Sequence, residues 1–435
     1  MNLSYGKREK LFVNLDQNND MNIYKHSLEL SKRFPSFVRR TPLEFNKKLS
    51  ERFGASIWLK REDLQSVRSY KIRGAYARMS ELSEAEKING VVCASAGNHA
   101  QGVALCCKEM KVKGIIFMPE TTPKQKIEMV RSFGEDYVEI ALYGDNFDAC
   151  SKRAMAVCKD KNATFIPPFD DAHVIAGQGT VGIEILEDIE QEIDLLLVPV
   201  GGGGLAAGLS SVFNVQSPNT KIIGIEPTGA PSMQKALEHG SPVILDHIDT
   251  FVDGASVKRV GELNFQICKD KITRMQLVDE GKICGTILNQ YNQAGMVLEP
   301  AGALTIAALD LIPESEIKGK NVVCVVSGGN NDITRTDEIR ERSMLYDGLK
   351  HYFLIRFPQR PGALKEFVSD VMGPTDDIVY FQFSSKIGRE SGPAVVGVEV
   401  AKSEDIQSVK QKLNEKGFSF EYLEPTSLLF QQLIG

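Results

Sequence analysis

From about Ile57 to Ile333 short apolar runs alternate with helical patterns. The runs Ser56–Lys60, Gly90–Ala94, Gly114–Met118, Tyr137–Leu142, Leu195–Val200, Ile222–Glu226 and Val322–Val326 read as strands. Most are near-continuously hydrophobic, as strands covered on both faces must be, and this predicts an α/β protein with parallel sheets. Helices are predicted between them at His99–Met110, Pro123–Phe133, Asn146–Lys159, Gly179–Ile189, Leu205–Phe213 and Gly281–Gln293. Pro123 and Pro231 fall where a helix tolerates proline, at its first position. So long an alternation is too much for one sheet, so two α/β subdomains with a cleft between them are expected.

After Arg342 the pattern changes. His351–Phe357 alternates as a strand, and Leu364, Phe367, Val368, Val371 and Met372 follow the spacing of an amphipathic helix. Asp377–Ser384 and Ala394–Ala401 read as strands. Ser403 opens a helix with Ile406, Val409 and Leu413 on one face, Gly417 stops it, and Phe418–Leu423 is a last strand. The order β-α-β-β-α-β predicts a ferredoxin-like module. The expected organisation is a loosely ordered leader over 1–24, a catalytic domain over 25–343 with a small subdomain at 69–165, and the module over 349–425.

Composition narrows the function. A chain of 435 residues exceeds one core, and 42% hydrophobic with 25% charged residues is ordinary for a globular protein. No apolar run is long enough to span a membrane, and a net charge of -6 offers nucleic acid no electrostatic footprint. The eight cysteines form no CxxC pair and mostly sit in apolar runs. Buried thiols in a cytoplasmic protein are expected, without a metal cluster or disulfide framework. Residues 1–21 hold no signal-peptide core.

The candidate chemistry centres on Ser69-Tyr70-Lys71-Ile72-Arg73-Gly74. It reads as a helix start that Ser69 can cap, with Arg68, Lys71 and Arg73 crowded at the positive end of the helix dipole. The dipole and the like charges are expected to lower the pKa of Lys71, and a neutral amine is what imine formation requires. A lone lysine here is far more often a solvated basic face, so three other strand ends matter. Gly201-Gly202-Gly203-Gly204-Leu205 lies between a buried strand and a helix, where a flexible linker is out of place and a phosphate cradle is not. Ser95-Ala96-Gly97-Asn98-His99 offers small residues at a strand end, a pocket for a carboxylate, with Asn98 a donor and His99 a packing or capping residue. Ser327, in Ser327-Gly328-Gly329-Asn330, can give one hydrogen bond to a neutral ring nitrogen. Together these point to pyridoxal phosphate.

Lys60-Arg61-Glu62-Asp63-Leu64-Gln65, Ser69–Gly74, Ser95–Gly102, Gly201–Leu205 and Ser327–Asn330 resemble, in order, the motif set of the threonine dehydratases. These are fold type II, tryptophan-synthase-β-like pyridoxal phosphate enzymes. The module after Arg342, with its Phe357-Pro358-Gln359-Arg360-Pro361-Gly362-Ala363, resembles the ACT-like regulatory domain of the biosynthetic members. The resemblance implies that Lys71 holds the cofactor as an imine and moves protons at Cα, with Tyr70 against the ring. It implies Asn98 at the ring oxygen, Gly201, Gly202, Gly203, Gly204 and Leu205 at the phosphate, and Ser327 at the pyridine nitrogen. Ser95, Ala96, Gly97, Asn98 and His99 would surround the substrate. Many relatives have phenylalanine where Tyr70 stands, and Glu226-Pro227-Thr228-Gly229-Ala230 lacks the aspartate with which serine racemases bind a divalent metal, so no metal is expected.

The implied activity is elimination and deamination of L-threonine, with L-serine as a second substrate, to 2-oxobutanoate and ammonia in isoleucine biosynthesis. Isoleucine and valine are the candidate effectors, and a homo-oligomer, dimer or tetramer, is expected. A degradative serine or threonine dehydratase is the nearest alternative, disfavoured by the appended module. A non-catalytic amino-acid sensor is the alternative from another class.

Overall fold

The structure is a computed structural model describing residues 18–383 and 391–434. Most of the expected leader, and Ser384 at the end of one expected strand, lie outside the described residues. The chain forms two compact units, the first ending at Asp332 and the second beginning at Ile333.

The first unit holds strands β1 (Leu43–Phe45), β2 (Ser56–Arg61), β3 (Val91–Ala94), β4 (Gly114–Met118), β5 (Val138–Leu142), β6 (Thr164–Phe165), β7 (Leu195–Pro199), β8 (Lys221–Pro227), β9 (Ile272–Val278) and β10 (Asn321–Val326). They build a six-stranded sheet, β1-β2-β10-β7-β8-β9, and a four-stranded sheet, β5-β4-β3-β6. Every pairing but β1 with β2 is parallel. Parallel strands align their carboxyl ends along one edge, where open α/β sheets bind ligands. β3 and β7 are buried throughout, which is why they lack polar alternation.

The helices that position the site are α1 (Asn18–Arg33), α2 (Lys71–Ser80), α3 (Asn98–Met110), α4 (Ala172–Asp188), α5 (Gly204–Gln216) and α6 (Pro300–Ala308). The expectation of loose structure through residue 24 is corrected by α1. Ile23 and Leu30 join the core of the large sheet, and Lys271 pairs with Asp20 at 3.0 Å. α4 begins seven residues before the expected Gly179, because the Asp171 carboxylate caps it through His173 N and Val174 N at 2.9 and 3.0 Å. Its glycines, which weaken the helical signal, are contact points. A Cβ on Gly177 would stand 2.6 Å from the Arg73 carbonyl of α2, and one on Gly179 2.4 Å from Ser27 Oγ of α1.

The second unit holds β11 (Lys350–Pro358), α7 (Ala363–Asp370), β12 (Asp377–Phe383), β13 (Ser391–Glu399), α8 (Ile406–Glu415) and β14 (Ser419–Tyr422). The antiparallel sheet runs β12-β13-β11-β14, the strand order of a ferredoxin-like fold, over a core of Phe353, Phe367, Val396 and Leu413. The helix Thr336–Tyr346 belongs to this unit rather than to the first. Its Glu341 accepts from Tyr352 Oη at 2.7 Å, and its Arg340 pairs with Glu399 at 3.0 Å. A closing helix, Leu428–Leu433, adds Phe430 to a second small cluster with Tyr352. Among the described residues no helix is long and apolar enough to cross a membrane.

Candidate active site

Both sheets in the first unit open on one cavity of about 870 Å³. The carboxyl ends of β7 and β10 deliver Gly201–Leu205 and Ser327 to it, and the end of β3 delivers Ser95–His99. Lys71, Tyr70 and Arg68 enter from the start of α2. All the site residues expected from sequence therefore line one space.

Lys71 is the first residue of α2. The backbone holds it there: Ser69 bridges to Gly328, and Tyr70 N donates to the Ser327 carbonyl at 3.2 Å. Ser69 does not cap the helix. Tyr70 is the N-cap residue without a side-chain bond, and the Ser69 hydroxyl is buried without a hydrogen-bond partner. Lys71 Nζ donates to the Pro168 carbonyl at 3.0 Å and stands 5.3 Å from the centre of the Tyr70 ring.

Burial pushes the Lys71 amine down to about 8, against the opposing pull of the Glu299 carboxylate. The direction agrees with the sequence reading, but the cause is desolvation rather than crowded cations. Arg73 is not exposed at the helix start at all. Its guanidinium is fully buried and paired with Glu62 at 2.8 Å and Glu184 at 2.6 Å. Lys60, also fully buried, completes the cluster on Glu184 at 2.7 Å.

The glycine loop is shaped by its neighbours. A Cβ on Gly202 would stand 2.3 Å from the Phe169 ring, one on Gly201 2.9 Å from the Ala255 backbone, and Gly203 has φ +91°. The Gly202 carbonyl is taken up by Asn264 Nδ2 at 2.7 Å and Gly261 N at 3.1 Å. The start of α5 at Gly204 adds first-turn N–H groups that no intrahelical carbonyl satisfies. A bare, anchored turn leading into a helix is the donor set a phosphate monoester needs.

At the β3 end, Gly97 N donates to Ser95 Oγ at 3.2 Å, and nothing lies within 4 Å of a Cβ on Gly97, so the cavity reaches the backbone there. His99 is buried, bonds the Ile166 carbonyl through Nε2 at 2.9 Å, and is held neutral, with its pKa down to about 3, by burial and by Lys71. It ties α3 to the chain beyond β6, as a packing residue does.

Asn98 reaches a residue that sequence reasoning missed. Its Nδ2 donates to Glu299 at 2.7 and 3.0 Å, and its Oδ1 accepts from Asn330 Nδ2 at 2.7 Å. Glu299 is buried, and burial with the nearby Asp253 pushes its carboxyl up to about 7. It sits just before Pro300, and Gly328 is what admits it: a Cβ on Gly328 would meet Glu299 Oε1 at 2.2 Å, and one on Gly302 would meet the Gly328 carbonyl at 2.0 Å. The available signal was a lone acid before a proline-started helix that is apolar but for Thr305. Pro168 and Phe169 were also missed, because nothing local marks a carbonyl or a ring as part of a site.

The cavity thus joins a depressed lysine, an anchored glycine turn, a serine at a strand end and an asparagine on an acid, which defines a pyridoxal phosphate enzyme of the fold type II class. The family of pyridoxal-phosphate dependent enzymes matches residues 35–328, and the C-terminal regulatory domain of threonine dehydratase matches residues 341–433. The chain is 52% identical over 397 residues to L-threonine dehydratase biosynthetic IlvA of Halalkalibacterium halodurans, covering 91% of this chain and 95% of that one. It is 50% identical to the Bacillus subtilis protein of the same name, over 94% of this chain and 97% of that one. The processed form of threonine deaminase isoform 2 from Solanum lycopersicum superposes with a TM-score of 0.71 at 40% identity, covering 75% of this chain and 94% of that one. Maize serine racemase superposes with a TM-score of 0.68 at 28% identity, over 74% of this chain and 98% of that one. The chain belongs to the biosynthetic L-threonine dehydratases, and pyridoxal 5'-phosphate is its cofactor.

Proposed function

We propose that this chain converts L-threonine to 2-oxobutanoate and ammonia, the step that commits threonine carbon to isoleucine. The observation that carries the reading is the meeting of Lys71, Gly201–Leu205 and Ser327 in one cavity, in a chain half identical to enzymes of that name. L-Serine is the expected second substrate. The eight cysteines form no disulfide among the described residues, and seven of them are buried, in keeping with a reducing cytoplasm.

Lys71 would hold the cofactor covalently, the glycine turn would take its phosphate, Ser327 its ring nitrogen and Asn98 its ring oxygen, with Tyr70 beside the ring. When bound, pyridoxal phosphate supplies the electron sink that acidifies the α-hydrogen and lets the β-hydroxyl depart. The chain's own groups do the rest. Lys71, as a neutral amine, is the base at Cα. The Ala96 N–H and the start of α3 would offer the substrate carboxylate backbone donors beside Ser95 Oγ, in a space open to Gly97. Ser327 is uncharged, so it leaves the ring nitrogen without a proton and restrains side reactions that need a stronger sink.

Lys71→Ala should abolish turnover and the cofactor's visible absorption while the far-ultraviolet spectrum stays that of the folded chain. Normal turnover in that variant would remove the lysine from the chemistry.

The second unit, we propose, binds isoleucine, with valine as a second effector, in a homo-oligomer of two or four chains. A domain named for regulation and built with open sheet edges supports both parts. An effector must favour one of two conformations, and such couplings are typically about 1–3 kcal/mol.

A further inference from the structure

Three helices of the first unit bring together two imidazoles and a carboxylate away from the cavity. His26 lies in α1, His173 is the second residue of α4, and Glu81 is the C-cap of α2. One ligand atom of each lies within 4.8 Å of the other two. None of the three lines the catalytic cavity.

The spacing of His26 and Glu81 is nearer that of two ligands on a metal than that of a hydrogen bond. His26 Nε2 and Glu81 Oε1 are 3.7 Å apart, too far for a hydrogen bond. Two ligand atoms on a tetrahedral zinc, with bonds of about 2.0–2.1 Å, stand roughly 3.3 Å apart, so this pair is within a few tenths of an ångström of coordination spacing. The same geometry sets two coordinated imidazole rings roughly 5 Å apart, centre to centre. The His26 and His173 rings stand at 5.3 Å and 88° to one another.

The surroundings are compatible with a cation. Arg33 donates to the same Glu81 Oε1 at 2.9 Å, so the guanidinium would be the outer partner of the ligand carboxylate. Glu29 adds a negative charge near His26, opposite the positive charge of Arg33. Imidazole and carboxylate together suit zinc, nickel or copper, and not magnesium or calcium, which take oxygen.

We propose that His26, Glu81 and His173 bind a divalent transition ion, zinc above all, which fastens α1 and the head of α4 to the end of α2 opposite Lys71. The ion is a clamp on the helix that carries the catalytic lysine, and turnover does not require it. Neither the family assignment nor the threonine chemistry depends on it.

The test uses the holoenzyme, freed of metal with a chelator, desalted and titrated with zinc chloride. One zinc per chain should survive gel filtration, with a rise of a few degrees in melting temperature that magnesium does not reproduce. His26→Gln and Glu81→Gln should each lose the bound zinc and the rise, and retain the cofactor's absorption and basal turnover. Because Glu81 is exposed, its variant carries the test even where the histidine variant folds poorly. Failure of the parent to retain zinc, or equal retention by the Glu81→Gln variant, overturns the site.

Discussion

At the scale of single residues the cavity is governed by two groups that burial moves toward neutrality from opposite sides. The Lys71 amine is lowered to about 8 and the Glu299 carboxyl raised to about 7. An amine captures an aldehyde only when unprotonated, so the rate at which apoenzyme takes up pyridoxal phosphate should rise with pH through about 8, and at pH 7 roughly a tenth of Lys71 is competent. The negative charge of Glu299 favours the lysine's protonated form. Glu299→Gln removes that charge, so the midpoint of uptake should move to lower pH. Stopped-flow measurement of the growing absorption band across about pH 6–10 checks both. A midpoint near that of free lysine, or an upward shift in the variant, contradicts the assignment. Asn98 retains an acceptor in the glutamine variant, so the change is in charge rather than in shape.

At the scale of elements, the position of Lys71 depends on how α2 is seated. Arg73, two residues on, is locked into Glu62 after β2 and Glu184 on α4, while Gly177 lets the α4 backbone lie against α2. Arg73→Gln leaves two buried carboxylates with only Lys60 between them. Breaking a buried pair of this kind costs about 3–5 kcal/mol, which urea unfolding of the variant would register. Gly177→Ala is a smaller insult in volume, yet its Cβ meets Arg73 O, Ala77 Cβ and Gly74 Cα all within 2.8 Å. A loss of about 1–3 kcal/mol is expected by the same measurement. In the glycine turn, Gly202→Asp would drive a side chain into Phe169 and set a negative charge beside the phosphate's place. Cofactor titration should show at least about a hundredfold weaker binding, since the like-charge penalty adds to the clash.

At the scale of the whole molecule, the first unit contains every residue assigned to the chemistry, and the second contains none of them. A chain ending at Asp332 should therefore keep threonine dehydratase activity and lose its response to isoleucine, read as keto-acid formation with and without the effector. If the full chain ignores isoleucine and valine at every threonine concentration, the second unit serves assembly instead. The cut belongs at Asp332 rather than at the expected 343, because Ile339 and Ser343 of the helix Thr336–Tyr346 are buried in the second unit.

What the sequence determined by itself was whatever is local or periodic. The buried parallel strands announced themselves as unbroken apolar runs, and Gly201–Gly204 between strand and helix needed no partner to be recognised. The ferredoxin-like order followed from alternation and two amphipathic helices, and the motif order identified the family that the comparisons gave. The strand β9 escaped because Arg274 and Gln276 suit a half-exposed edge. α1 escaped because its partners, Lys271 and the α4 glycines, lie far along the chain; the first turns of α4 escaped because the glycines that pack on α1 and α2 weaken the helical signal, although its cap, Asp171, is local. Only the tertiary structure decided that Arg73 is an internal counter-ion rather than a surface cation, that Ser69 caps nothing, and that Glu299 faces Asn98. Charge and burial are properties of three-dimensional neighbours; a residue's own stretch fixes its dihedral preferences and its face, but not the dielectric in which its proton is held.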